Sequence, residues 1–114
     1  MSFWRKEVIQ PVLDAETRKH MDEQRAWIAR DPTNAHPYYH LAQFYRIEGH
    51  QDEALGLLLE AVRLDDGLAE AHLALAEIYA VREDYAAAWR HARRAESAGD
   101  ARAVDLLRRY GVAE

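Results

Sequence analysis

Histidines are the residues whose type and spacing come closest to a chemical site. His36 and His40 are four residues apart, and on a helix this spacing places two imidazoles where they could share one metal ion. A third ligand would have to come from His72 or Glu70, further along the chain. Histidines also occupy helix surfaces and packing positions, and we favour that interpretation here. The remaining histidines have no obvious partner in the sequence: His20, His50 and His91. We therefore predict no bound metal, and keep a histidine-based metal or small-molecule site as an alternative.

The sequence offers little for catalysis. Acid–base chemistry needs carboxyl groups that converge in a cleft. The adjacent carboxylates at 22–23, 52–53 and 65–66 instead fall at predicted helix ends or on solvated faces, where they suit the helix dipole. The chain has no cysteine, its only serines are Ser2 and Ser97, and no glycine-rich phosphate loop occurs. We expect neither an enzyme nor a cofactor.

Composition narrows the class of protein. The 114 residues suffice for one compact domain, and five glycines and three prolines are few for a domain of short strands. The net charge of -5 is opposite to the basic surface that phosphate backbones attract, so we expect no nucleic acid partner. No apolar run is long enough to span a membrane. We therefore expect a soluble cytoplasmic protein without a membrane partner.

An internal repeat organises most of the chain. When the sequence is shifted by 34 residues, seven of the 32 pairs from 35/69 to 66/100 are identical without a gap. These identities are mostly small or apolar residues at helical spacing. They are Ala35/Ala69, Leu41/Leu75, Ala42/Ala76, Tyr45/Tyr79, Ala54/Ala88, Ala61/Ala95 and Asp66/Asp100. A repeat of this length with this residue pattern predicts a stack of similar helical units.

Each unit is predicted to be a pair of helices. The first unit has helices at about 35–47 and 52–64, with Asn34 as N-cap and Gly49 at the stop. The second has helices at about 68–81 and 85–98, with Asp84 as the cap. The alanines within these helices leave room for two axes to approach closely. They are Ala42, Ala54, Ala61, Ala76, Ala88 and Ala95.

The pattern resembles the tetratricopeptide repeat family. Its family positions are occupied in the first unit by Leu41, Ala42, Tyr45, Gly49, Ala54, Leu58 and Ala61, and in the second by Leu75, Ala76, Tyr79, Ala88 and Ala95. Glu83 stands where the turn glycine is expected. The resemblance implies an all-α fold of antiparallel helix hairpins, stacked as a short right-handed superhelix. Repeat 1 would then span 35–68 and repeat 2 would span 69–100.

Flanking segments are expected to cap the two repeats. We predict an N-terminal capping helix over residues 13–31, equivalent to the second helix of a degenerate unit. Residues 101–114 are predicted to form a C-terminal capping helix and tail. Leu106 and Tyr110 are expected to face inward with Val104 and Leu107. Residues 1–12 are expected to form an apolar N-terminal arm, which covers its own chain, exchanges into a neighbouring copy or binds a partner. With the arm and an exposed Trp89, self-association into a homo-oligomer is an alternative function.

The resemblance also implies where a partner would bind. In the family, the first helix of each unit lines a concave groove. The side chains expected there are His36, Tyr39, Gln43, Arg46, Ile47, Glu70, Leu73, Glu77, Ala80 and Val81. An extended peptide or an amphipathic helix of another protein could occupy such a groove. The predicted function is accordingly a protein–protein interaction module that acts as an adaptor.

Overall fold

A computed structural model describes the backbone of residues 6–114 and the side chains of residues 14–114. Over the described backbone the chain forms six helices and no strand. The helices are α1 (Lys6–Arg30), α2 (Ala35–Ile47), α3 (Gln51–Leu64), α4 (Ala69–Val81), α5 (Tyr85–Ser97) and α6 (Arg102–Arg109). Each helix packs against the next in the chain, and α6 also contacts α4. The predicted all-α architecture of helical hairpins is confirmed.

The ends of the repeat helices follow from local signals. The Asn34 side chain accepts a hydrogen bond from the backbone N–H of His36 at 3.0 Å, and the Asp84 side chain accepts one from Ala87 at 3.2 Å. Gly49 ends the α2 segment with a φ of 82°. The boundaries of α2 to α5 lie within one residue of the predicted ones. Short turns then return each helix along its neighbour.

Alanines form the contact between paired helices. All six predicted packing alanines are at most 2% exposed, so the helices meet with little side chain between them. Tyr45 and Tyr79 are half-buried and pack against the same core, while Leu58 and Leu75 are fully buried. A second cluster, at the α6 end, joins Trp89 with residues of α4 and α6. The core therefore runs along the stack from one hairpin to the next.

The N-terminal helix is longer than the sequence indicated. α1 begins at Lys6 and not near residue 13, so Pro11 lies inside it as the sixth helical residue. A proline removes one backbone hydrogen bond but does not by itself end a helix whose flanks continue. Residues 1–5 and the side chains of residues 6–13 lie outside the described part, as does the expected packing of the apolar arm.

Two expectations about individual side chains were wrong. Trp89 is 5% exposed, because α6 packs over it and the Arg93 guanidinium lies 5.2 Å from its ring centroid. Leu106 and Tyr110 are 38% and 74% exposed and do not face inward. The inner side of the short helix α6 is taken by Ala103, Val104 and Leu107, which leaves Leu106 on the outer side and Tyr110 beyond the last turn.

Candidate partner-binding face

The two first helices of the repeats share one surface of the molecule. Arg46 in α2 reaches Glu77 in α4, with 3.9 Å between its Nη1 and the carboxylate Oε1. The same Nη1 donates a hydrogen bond to Oε1 of Gln43 at 3.2 Å. The Arg46 side chain is 23% exposed and that of Glu77 is 42% exposed, so both are accessible to a ligand. We call the surface formed by α2, α4 and the start of α6 the first-helix face.

Tyr39 lies half-buried on this face. Burial is the main cause that raises the pKa of its phenol above the usual range, and the carboxylate of Glu70 raises it further. The positive charges of Arg46 and Arg102 lower this pKa, but by less than burial raises it. The phenol therefore stays neutral at physiological pH and remains a hydrogen-bond donor. These couplings also show that groups from α2, α4 and α6 lie near one another.

Arg102, the first residue of α6, is a member of the face that the sequence analysis did not name. The carboxylate of Asp100 binds its guanidinium, with Nη2 and Oδ2 2.6 Å apart, and this hydrogen bond is the main cause of the raised pKa of Arg102. Glu77 and Tyr39 act on the same guanidinium from α4 and α2. The sequence did contain a signal for Arg102. The first helix of the second repeat was predicted to begin at Leu68, and a further shift of 34 residues leads from there to residue 102, where α6 begins as the first helix of a third unit would.

Apolar groups complete the predicted set. Leu73 and Ala80 are half-buried and pack against the cluster beneath α6. Ile47 and Val81, at the ends of α2 and α4, are 79% and 85% exposed. His36 is exposed in the first turn of α2. The face thus combines apolar contacts at one end with charged groups along its middle.

Two hollows adjoin the end of α4. One, of about 220 Å³, lies between the repeats and is lined by Arg46, Gln51, Glu77, Ile78, Val81 and Arg82. The other, of about 240 Å³, is mostly apolar and is lined by Ala80, Val81, Tyr85, Leu106, Leu107, Tyr110 and Val112. We call the second one the α6 hollow. Val81 borders both, so the exposed end of α4 connects the first-helix face with the α6 hollow.

Comparison with known proteins agrees with this arrangement of hairpins. The family model for the tetratricopeptide repeat matches residues 25–56, which cover the last turns of α1, the whole of α2 and the beginning of α3. This match supports a tetratricopeptide repeat protein. No curated protein matches it. Tetratricopeptide repeats in general serve protein–protein interaction, through the extended surfaces that stacked helix pairs provide.

The histidines of this protein are not arranged as the metal alternative requires. His36 and His40 are exposed on α2, whereas His72 is buried at 2% exposure. Both ring nitrogens of His72 are engaged, Nδ1 with His91 at 3.0 Å and Nε2 with the Asp66 carbonyl at 2.8 Å. Among residues 14–114, no group of three or more side chains could hold a metal ion. The expectation that His20 and His91 lack partners was wrong, since Nδ1 of His20 lies 3.4 Å from Oε2 of Glu23.

Within the described residues, no helix combines the length and the apolar character that crossing a bilayer requires.

Proposed function

We propose that this tetratricopeptide repeat protein binds a segment of another protein across the first-helix face. The observation that carries the proposal is the contact between Arg46 and Glu77, because it brings side chains of two successive repeats onto one accessible surface. Proteins of this family are generally adaptors without catalytic activity, and we propose the same role here, in the cytoplasm. Its acidic, cysteine-free chain is compatible with that setting.

The chemistry of the face indicates the kind of segment it would accept. Arg46 and Glu77 are paired at 3.9 Å and partly exposed, so a charged group of a ligand can replace either partner at low cost. The neutral phenol of Tyr39 offers a hydrogen-bond donor beside them, and Ile47 and Val81 offer apolar contacts at the rim. This combination suits an extended peptide or an amphipathic helix with apolar anchors and one or two charged side chains.

Partner capture followed by direct binding tests the proposal. Proteins retained by the purified chain would be identified by mass spectrometry, and the bound segment would be synthesised and its affinity measured by calorimetry. Replacing Tyr39 and Glu77 together with alanine should weaken binding at least about tenfold, since each contact of this kind contributes on the order of 1 kcal/mol. Circular dichroism should show unchanged helicity.

A matched variant separates the face from the rest of the surface. Glu53 in α3 and Arg90 in α5 are exposed on the second helices of the two repeats. Replacing both with alanine changes the same number of surface side chains and should leave the affinity unaltered. Equal affinities of the Tyr39/Glu77 variant and the native chain would place the binding surface elsewhere.

Self-association is a second candidate, favoured by the α6 hollow. Val81 and Tyr110 on its border are 85% and 74% exposed, and Tyr85 and Leu106 add further exposed apolar surface. A contiguous apolar patch of this kind is typical of an interaction site. Light scattering over a concentration series, for the whole chain, for a chain lacking residues 1–12 and for Tyr110→Glu, tests this candidate. A monomer at every concentration would exclude it.

A further inference from the structure

Two buried histidines join the helices of the second repeat. His72 in α4 and His91 in α5 are 2% and 9% exposed, and their Nδ1 atoms face each other at 3.0 Å. On its other side, Nε2 of His72 lies 2.8 Å from the carbonyl oxygen of Asp66, in the connection before α4. No other side-chain hydrogen bond between α4 and α5 is found among residues 14–114. The pair is thus the polar contact at a helix interface otherwise built from alanines and aromatic rings.

The geometry determines where the hydrogens lie. A carbonyl oxygen can only accept, so Nε2 of His72 carries a hydrogen and donates to Asp66. A neutral imidazole has one hydrogen, so Nδ1 of His72 is an acceptor. His91 must then carry its hydrogen on Nδ1 and donate to His72. When both rings are neutral, the contact therefore requires them to be in opposite tautomers.

We propose that the pair formed by His72 and His91 is a proton-operated latch that holds α4 against α5 at neutral pH and is released on acidification. A proton added to the pair either sets two N–H groups against each other across 3.0 Å or places a charged ring in the interior. The first result removes the hydrogen bond that links the two helices. The second, with His91 protonated on Nε2, keeps that bond but leaves a buried charge that destabilises the helix interface. This inference is independent of the proposed partner face.

Some charged groups around the pair favour protonation of the histidine rings and others oppose it. Beside His72, the Asp66 carboxylate lies 3.6 Å from Nε2, and Asp65 favours the protonated ring. Arg94 is paired with the Asp66 carboxylate, which reduces its support for a charged His72. Beside His91, Arg90 opposes protonation. The Tyr79 ring, from α4, stacks on His91 with centroids 5.6 Å apart.

Burial of the two rings has a larger effect on their pKa values than the carboxylates that favour protonation. It is the main cause that lowers the pKa of His72, and it lowers the pKa of His91 to about 4, with His72 and Arg90 as further causes. An unfolded histidine has a pKa near 6.5, so the unfolded chain binds the proton first as the pH falls. The contribution of the neutral pair to the free energy of unfolding is therefore complete above about pH 6.5 and is lost progressively between pH 6.5 and pH 4.

Ring titration on the native chain tests the latch without a variant. In ¹⁵N NMR spectra at pH 7.5, we expect one ring protonated on Nε2 and the other on Nδ1, with both pairs of signals titrating below pH 6.5. Amide hydrogen exchange, corrected for its intrinsic pH dependence, should accelerate in α4 and α5 between pH 7 and pH 5 more than in α2 and α3. Ordinary midpoints for both rings, or two identical tautomers, would overturn the proposal.

Urea unfolding of variants provides an independent measurement. The folding equilibrium constant of the native chain should fall by up to about tenfold for each pH unit between 6 and 4.5, because one extra proton binds to the unfolded chain. His91→Gln keeps a polar side chain but cannot titrate, and it should flatten this dependence. His40→Gln removes an exposed imidazole and serves as the control. A pH dependence of His91→Gln as steep as that of the native chain would contradict the latch.

Discussion

At the scale of single residues, the two repeats close their first helix with the same backbone conformation but different side chains. The turn after α2 contains Gly49 with a φ of 82°, and the turn after α4 contains Glu83 with a φ of 61°. Only glycine adopts this left-handed region without steric cost. The second repeat therefore carries local strain at a position where the first has none.

Replacing Glu83 with glycine should stabilise the protein. Relief of the left-handed conformation outweighs the greater freedom of glycine in the unfolded chain, and we expect a gain of about 0.5–1 kcal/mol in the free energy of unfolding. Urea denaturation at neutral pH measures it. The reciprocal change, Gly49→Glu, should cost a similar amount. A loss of stability in Glu83→Gly would show that the turn gains more from the glutamate side chain than its backbone loses.

At the scale of helices, the hairpins depend on side chains that are small where the axes approach. Ala54 and Ala61 in α3, and Ala88 and Ala95 in α5, have no exposed surface. These positions were predicted because identical alanines recur after 34 residues, and helical periodicity puts them on one face. Local regularity of this kind can be read without knowing the partner helix.

A larger side chain at such a position should force the hairpin apart. Ala88→Phe inserts a ring where the side chain is fully buried, and we expect a cost of at least about 1–3 kcal/mol. Ala86→Phe, on the exposed side of the same helix, is the control and should change the stability little. Thermal unfolding followed by circular dichroism compares the two variants. Equal melting temperatures would mean that α4 and α5 do not pack closely at Ala88.

At the scale of the whole molecule, the stack is stabilised by contacts between neighbours. α6 closes one end by covering the cluster that contains Trp89, and its inner residues are Val104 and Leu107. A stack without such an end would expose the apolar side of its last hairpin to water. The short C-terminal helix is therefore a structural part of the second repeat as well as an edge of the first-helix face.

Replacing Leu107 and Leu106 of α6 one at a time should distinguish the side of this helix that stabilises the stack from the side that faces solvent. Leu107 is 5% exposed, and Leu107→Ala should cost about 2–5 kcal/mol through lost burial and a cavity against Trp89. Leu106, at 38% exposure, should cost much less when replaced by alanine. Urea denaturation monitored by tryptophan fluorescence reports the difference. A larger effect at Leu106 would reverse the assignment of the inner face.

The candidate site could be predicted only in part. The resemblance named side chains on α2 and α4, and the structure brings Gln43, Arg46 and Glu77 together. Arg102 was missed although the 34-residue step leads to it, because the repeat was not continued past residue 100. The partner of His91 was missed because it lies on another helix, where no periodicity reveals it. Contacts between residues far apart in the chain follow from the angle and distance of packed helices, which a one-dimensional pattern does not contain.

The sequence by itself determined the four helices of the two repeats, their boundaries and the alanine contacts, because caps, turns and 3.6-residue periodicity act within a few residues of the chain. Only the tertiary structure decided that Trp89 is buried, that Tyr110 is exposed and that two histidines meet between α4 and α5. Burial of a side chain depends on which helix lies over it, and hydrogen bonds between helices require distances that exist only after the helices have packed.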